Sequence, residues 1–346
     1  MQADQWLDVM LARFYQFVHG YEQDNFDHER YAGEDPGNFA LSRHVHYLKF
    51  FMANYAQLFQ TRALLADEAS REWLDKLILY RLLGHHHIRL LDDAPAQWAI
   101  REQVKGYLVS EREEKGLLGQ LGNYEVPVDD RLIRFAGWSC NVAWAFFIRQ
   151  YYFERDGVVI KPEAGDHIID AGACFGDTAL AFAASAGPSG RIYSFDMLPA
   201  HCRILRENIA NNPDIGASIT VLPYGVSDED KNIDLVLDQG NAINPGARLN
   251  TDSFPIRRID SLADEKVIER VDFIKMDIEG SELAALRGAE QTLRRWRPKL
   301  AISIYHDTTD YISIPQYLAS LDLGYRFYLD HYTIHQEETV LYATAR

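Results

Sequence analysis

The residues best able to do chemistry fall in a few short runs. One is Asp170-Ala171-Gly172-Ala173-Cys174-Phe175-Gly176-Asp177-Thr178, which follows an apolar run and opens a stretch rich in Ala, Leu and Phe. Glycines at 172 and 176 let the chain turn sharply and let its backbone approach a ligand closely. A pyrophosphate at a helix N-terminus calls for G-x-G-x-x-G. Here Cys174 replaces the middle glycine, and Asp177 would set a negative charge beside any phosphate. Both features argue against a dinucleotide-dependent dehydrogenase. An acidic loop suits a cationic ligand, and the sulfonium and ammonium groups of S-adenosylmethionine are of that kind. Twenty residues after Gly176, Asp196 ends the next apolar run, where an acidic side chain can accept both ribose hydroxyls. The plain alternative is a structural turn and an ordinary strand-end carboxylate. Asp170, the two glycines and Asp196 together favour the cofactor site.

A second set could move protons. Asp277 and Glu279 flank a tight turn closed by Gly280, and His306 and His331 each follow an apolar run. If such a cofactor gives its methyl group to a hydroxyl, the step is an in-line displacement, and a free alcohol is a poor nucleophile at neutral pH. It needs a general base within about 3 Å or a metal that acidifies the hydroxyl. Histidine titrates in the right range. His306 is the expected base, with Asp277 orienting it or the acceptor. Glu279 and His331 are further catalytic candidates. The plain readings are a strand-end histidine bonded to backbone, a histidine capping a hairpin, and a carboxylate capping the helix that Ser281 opens. Asp277, Glu279 and His306 also form an oxygen-rich set that suits magnesium or manganese, though the spacing is not diagnostic of metal. His85-His86-His87 resembles metal bait, but consecutive helical residues point in different directions, so a solvated helix end is expected there.

These residues need elements to hold them. Strand-like runs occur at His167–Asp170, Ile192–Asp196, Ile219–Leu222, Phe273–Asp277, Leu300–Tyr305, Tyr325–Leu329 and Thr339–Ala343. Helical patterns near 177–186, 199–211, 281–294 and 315–322 lie between the first six. Such alternation implies a parallel sheet flanked by helices. The last two strands are separated only by Asp330 to Glu338, too short for a crossover, so they should form an antiparallel hairpin. Ligands of such sheets bind outside the carboxyl ends of the strands, where Gly172, Gly176, Asp277 and His306 would converge. Residues 1 to about 120 read as helices, with Tyr31–Phe39 a loop and Asp67 and Gly84 bounding one helix. Asp238 to Phe254 lacks a period and reads as a long loop, either a lid or substrate loop or a disordered stretch.

Composition bounds the rest. At 346 residues, about two domains are expected. A formal net charge of −16 repels phosphate backbones and anionic membrane surfaces, so nucleic-acid partners are not expected. Three scattered cysteines and no apolar run long enough to span a bilayer point to a reduced, cytoplasmic protein without membrane insertion.

Three stretches resemble the FkbM family of S-adenosylmethionine-dependent methyltransferases. They are Ile169–Thr178; Phe273-Ile274-Lys275-Met276-Asp277-Ile278-Glu279-Gly280-Ser281-Glu282 with Ala285–Ala289; and Pro298–His306 with Ile314-Pro315 and Glu338–Ala343. The resemblance covers about residues 157 to 346. It implies a class I, Rossmann-like methyltransferase fold, a seven-stranded sheet with an antiparallel last strand. It also implies O-methylation, often of sugars or of sugar-bearing and polyketide natural products. Family members often end the second strand in Glu-Pro, where this chain has Asp196-Met197. The third strand leads into Tyr224-Gly225-Val226, a turn that lies near the adenine in this fold.

The expected cofactor-binding residues are therefore Asp170, Ala171, Gly172, Ala173, Gly176, Asp177, Thr178, Asp196, Met197, Gly225 and Val226. The expected division is a mostly helical N-terminal domain over 1–125 and a methyltransferase domain over 126–346. The expected function is O-methylation of a sugar, glycan or glycosylated metabolite. A non-sugar natural product and a non-catalytic scaffold are the alternatives. The N-terminal domain lies outside the family's common core and is a candidate for homodimerisation, for shaping the acceptor pocket or for docking another enzyme.

Overall fold

The computed structural model describes residues 1–22, 25–28, 41–92, 94–116, 119–238, 241–243 and 251–345. Seven strands form the main sheet: β1 (His167–Ala171), β2 (Arg191–Phe195), β3 (Ile219–Leu222), β4 (Phe273–Met276), β5 (Lys299–Ser303), β6 (Arg326–His331) and β7 (Thr339–Thr344). Their order is β6-β7-β5-β4-β1-β2-β3. Neighbours from β5 to β3 run parallel. β6 and β7 pair antiparallel, as their short connection requires. Every residue of β4 and of β5 is buried, the pattern of a parallel strand covered on both faces. The register sets Ala171 level with Met276 and with Phe195, and Met276 level with Ile302. The loops after β1, β2 and β4 therefore leave the same edge of the sheet.

The chain forms two compact units, residues 1–95 with 303–344 and residues 96–302. Their limits differ from a division at residue 125, because the C-terminal hairpin falls with the N-terminal helices. In the first unit, α1 (Ala3–Val18), α2 (Leu41–Leu64) and α3 (Glu68–Leu83) pack together. Asp67 caps α3 by accepting from Ser70 N at 2.7 Å, and Gly84 ends it at φ 80°, both as expected. Ser70 Oγ accepts from Leu329 N at 2.8 Å, which ties α3 to β6. Buried Asp75 gathers the three helices, accepting from Trp6 Nε1 at 3.0 Å and from Arg62 Nε at 3.1 Å. His85 is buried, not solvated, with its ring 4.0 Å from that of His86.

The second unit departs from expectation at three places. The helical reading to about residue 120 stops short, because Leu108–Gly116, Gly119–Val128 and Arg131–Gly137 form an antiparallel sheet. The run Val109–Lys115 is mostly exposed and rich in Glu, Arg and Lys, so its composition favours a helix and only cross-strand pairing makes it a strand. Part of the aperiodic Asp238–Phe254 run is regular: Lys231–Asp238 pairs antiparallel with Thr251–Arg257 and with Asn241–Ile243. The helix over 281–294 is two helices, Glu282–Arg287 and Glu290–Trp296, broken at Gly288. As expected, α4 (Asp177–Ala186) follows the glycine loop and packs on β1 and β2, while α5 (Pro199–Asn211) packs on β3. In the first unit α6 (Asp310–Ser320) begins five residues before the expected 315, with Pro315 inside it. The Tyr31–Phe39 loop lies outside the described residues. Among the described residues, no helix is long and apolar enough to cross a membrane.

Candidate active site

The glycine loop is held by main-chain bonds before any side chain acts. Gly172 N and Ala173 N both donate to Phe195 O, at 3.0 and 2.9 Å, and Gly176 N donates to Ala173 O at 2.7 Å. Gly172, Cys174 and Gly176 all take left-handed φ, at 76°, 46° and 86°. A Cβ on Gly172 would lie 1.8 Å from Asp277 O, so only glycine fits where the loop meets the end of β4. Cys174 holds the place of the missing middle glycine and keeps that glycine's conformation, which costs an L-residue about 1 kcal/mol or more. Its backbone N–H donates to Asp196 Oδ2 at 3.0 Å. Burial, with the Asp196 and Asp177 carboxylates, keeps its thiol protonated.

Asp196 ties three segments together. Besides Cys174 N it accepts from Leu198 N at 2.8 Å, and His201 Nδ1 lies 3.1 Å away. A carboxylate offers about four acceptor sites, so these three contacts leave capacity for a further donor. Met197 lies over the next loop, its Sδ 3.2 Å from where a Cβ on Gly225 would stand. Gly225 and Val226 pair in parallel with Ile256 and Arg257. The structure thus brings Gly172–Gly176, Asp196–Met197 and Gly225–Val226 to the ends of β1, β2 and β3.

Asp170 and Thr178 are placed differently from the loop's backbone. Asp170 is fully buried, and Thr178 Oγ1 donates to its carboxylate at 2.9–3.0 Å. Lys275 Nζ lies 3.1 Å from Asp170 Oδ1 and donates to Ala171 O at 3.1 Å and Gly172 O at 2.7 Å. Lys275 is 2% exposed, and besides Asp170 it feels the charges of Asp277 and Asp177. These bonds brace the loop from beneath. Asp177, the first residue of α4, is buried too. Burial and, after the opposing pull of Lys275, the charge of Asp170 push its carboxyl up to about 7.

Asp277 is half-buried and accepts from Tyr151 OH at 2.8 Å. The Tyr151 ring in turn lies under Lys275 Nζ, 5.3 Å from its centroid. Glu279 is exposed at φ 55°. The carboxylate that reaches back over the turn is Glu282, fully buried, whose Oε1 accepts from Ile278 N at 2.8 Å. Lys275, Tyr151, Glu282 and His201 all went unread in the sequence. Lys275 had a signal, since a lysine inside the apolar run Phe273–Met276 must find a partner. Tyr151 had none.

In the other unit, His306 is half-buried, its ring 4.1 Å from that of Tyr305. His331 is the last residue of β6 and is buried, with Nδ1 2.8 Å from Thr339 Oγ1 and its ring against Trp73. Burial pushes its pKa down to about 3 and holds it neutral. It sits in the packing of the hairpin, not in an open cleft.

Residues 170–327 match the family described as methyltransferase FkbM domain. No match is found among the curated proteins. Among solved structures, the chain is similar to methyltransferase FkbM from Methylobacillus flagellatus KT, at 21% identity and TM-score 0.57 over 85% of this chain and 60% of that one. The chain thus spans less than two thirds of that relative. A putative rRNA-methylase from Clostridium thermocellum matches at 12% identity and TM-score 0.36, over 53% of this chain and 87% of that one. Fibrillarin from Aeropyrum pernix with natively bound S-adenosyl-L-methionine matches at 14% identity and TM-score 0.38, over 68% of this chain and 99% of that one. The strand order and the first of these likenesses agree on a Rossmann-like methyltransferase fold.

Proposed function

From a chain that carries a methyltransferase FkbM domain over residues 170–327, we propose an S-adenosylmethionine-dependent O-methyltransferase that acts on a hydroxyl of a sugar, glycan or glycosylated metabolite. The observation that carries this reading is the loop Gly172–Gly176, with three left-handed residues wrapped onto Asp196 at the edge where Asp277 leaves the sheet. The residues fit the cofactor. Bare backbone at Gly172 admits a close approach, and Asp196 keeps acceptor capacity for a ribose. Gly172–Cys174, Asp196, Met197, Gly225 and Val226 would hold it, and when bound it supplies a methyl group on a sulfonium.

His306 is the proposed base, taking the acceptor's hydroxyl proton on a ring nitrogen. Asp277 is proposed to orient the acceptor. Tyr151 fixes the Asp277 carboxylate by its hydrogen bond. A magnesium or manganese ion is proposed at Asp277 with Glu282, whose carboxylate oxygens come within 4.8 Å of one another; Glu279, expected beside Asp277, is exposed and outside that pair.

The test is calorimetry of S-adenosylmethionine against the full chain, with and without magnesium. Micromolar binding to the wild type is expected, and loss in Gly172→Ala, whose new Cβ meets the Asp277 carbonyl. No binding to the wild type in either condition sinks the reading. With an acceptor in hand, His306→Asn should cut kcat by about 10²–10⁴ and leave cofactor affinity unchanged.

A further inference from the structure

One face of α2 is packed and the other is an exposed apolar stripe. The packed face holds buried Phe51, Leu58 and Thr61, where α2 meets α1, α3 and α6. On the other face Val45, Leu48 and Met52 are each 40–45% exposed. Exposed Ala56 and Ala63 continue the same helical line. α1 lies alongside, with the Trp6 ring 6.1 Å from that of Phe51 and Tyr55 OH donating to Asp4 Oδ1 at 2.9 Å. Leu11 and Tyr15, on the edge of α1 that carries Asp4, are exposed as well. Of the fourteen large apolar side chains exposed among the described residues, nine lie between Met1 and Met52. Apolar side chains scattered singly over a surface are ordinary, but such a concentration marks an interaction surface.

Charge and symmetry say what covers it. The chain has a formal net charge of −16, yet α2 contains no Asp or Glu, while α1 and α3 both carry them. Two copies of an acidic chain repel least where acidic side chains are missing. The stripe is also matched to itself. Val45 and Ala63 are equally far from Asn54 in the sequence, and so are Met52 and Ala56, and Leu48 and Gln60. An antiparallel pair of α2 helices, with a two-fold axis level with Asn54, sets Val45 opposite the partner's Ala63 and Met52 opposite the partner's Ala56. Large then meets small at each step, so the two helices can interdigitate. Self-complementarity of this kind is what a two-fold interface requires, and an unrelated partner would not call for it. The exposed faces of α2 and α1, about 36 and 24 Å long and about 10 Å wide, offer on the order of 600 Å² in projection. A standard interface takes about 800 Å² from each partner.

We infer that α2 pairs antiparallel with α2 of a second copy of this chain, flanked by α1 of each copy. The N-terminal helices then serve as a homodimerisation surface. This inference does not depend on the methyl-transfer reading.

The experiment is sedimentation equilibrium of the full chain over a wide range of concentration. A species of twice 39.7 kDa is expected. Met52→Glu should leave the circular dichroism unchanged and weaken the dimer by about a hundredfold or more, because like charges meet across the interface. The two-fold brings both glutamates within about 6 Å along the helix axis. If Met52→Glu does not fold, Ala56→Glu takes its place. Cysteine pairing reads the register, with the wild type and its three free cysteines as control. The double variant Val45→Cys/Ala63→Cys should become a covalent dimer with an added mild oxidant. Neither single variant should, because its two copies stand about 27 Å apart along the axis. A monomer at every concentration overturns the proposal. So does a dimer that both glutamate variants leave intact, and so does Val45→Cys linking to itself, the mark of a parallel pair.

Discussion

Lys275 shows how much of this site depends on one residue. Its ammonium pairs with Asp170, holds two loop carbonyls and sits over Tyr151, the donor to Asp277. Lys275→Met would leave Asp170 buried and unpaired, so a loss of about 3–5 kcal/mol is expected in urea unfolding. The double variant Lys275→Met/Asp170→Asn should lose less than the two single losses added, because it removes both charges. Strict additivity would mean that the pair does not interact. Asp177 offers a second residue-scale test. Its folded pKa, about 7, lies above the unfolded value of 3.8. The folded state therefore holds the proton longer, and this group's contribution is present at low pH and lost as pH rises from about 4 to 7. Asp177→Asn should remove that loss, leaving the variant more stable relative to wild type at pH 8 than at pH 4. An unchanged difference between the two pH values would count against it. The placement of the glycines, Asp196 and Asp277 at strand ends was legible in the sequence, because each follows a short apolar run. Lys275 and Tyr151 were not read there, because their roles depend on partners more than 100 residues away.

At the scale of elements, the sequence was clear where burial decides and opaque where pairing does. The strands of the parallel core read directly as apolar runs, and the last hairpin followed from its short connection. The Leu108–Gly116 strand did not, because its exposed, charged residues carry no period that a partner strand would reveal. The break at Gly288 was also hidden. Its φ of −69° suits any residue, so conformation does not explain the glycine. Space does: a Cβ there would lie 1.9 Å from Ser227 O, part of the loop after β3. Backbone cannot yield as a side chain end can. Gly288→Ala is expected to cost about 1–3 kcal/mol in urea unfolding with an unchanged m-value, although alanine is the better helix former. A gain in stability would show that the Ser227 loop shifts freely.

At the scale of the molecule, chain order concealed how the units are composed. Nothing in the hairpin at 326–344 announces that it groups with residues 1–95; the Ser70 bond to Leu329 makes the link. That first unit also carries two buried histidines with lowered pKa values, His331 at about 3 and His85 at about 4, both mainly through burial. An unfolded chain binds protons at these residues below about 6.5, while the folded chain does not. Their contribution is therefore intact at neutral pH and lost as pH falls from about 6.5 toward 3–4. Asp177 pulls the other way over nearly the same window, but it is one group against two. Acidification from pH 6.5 to 4 should thus weaken the wild type. The variant His85→Asn/His331→Asn should lose less over that interval, by a few kcal/mol. The measurement is urea unfolding at both pH values for both proteins. Equal losses would mean that these histidines can take up protons in the folded chain, and that the acid sensitivity arises elsewhere.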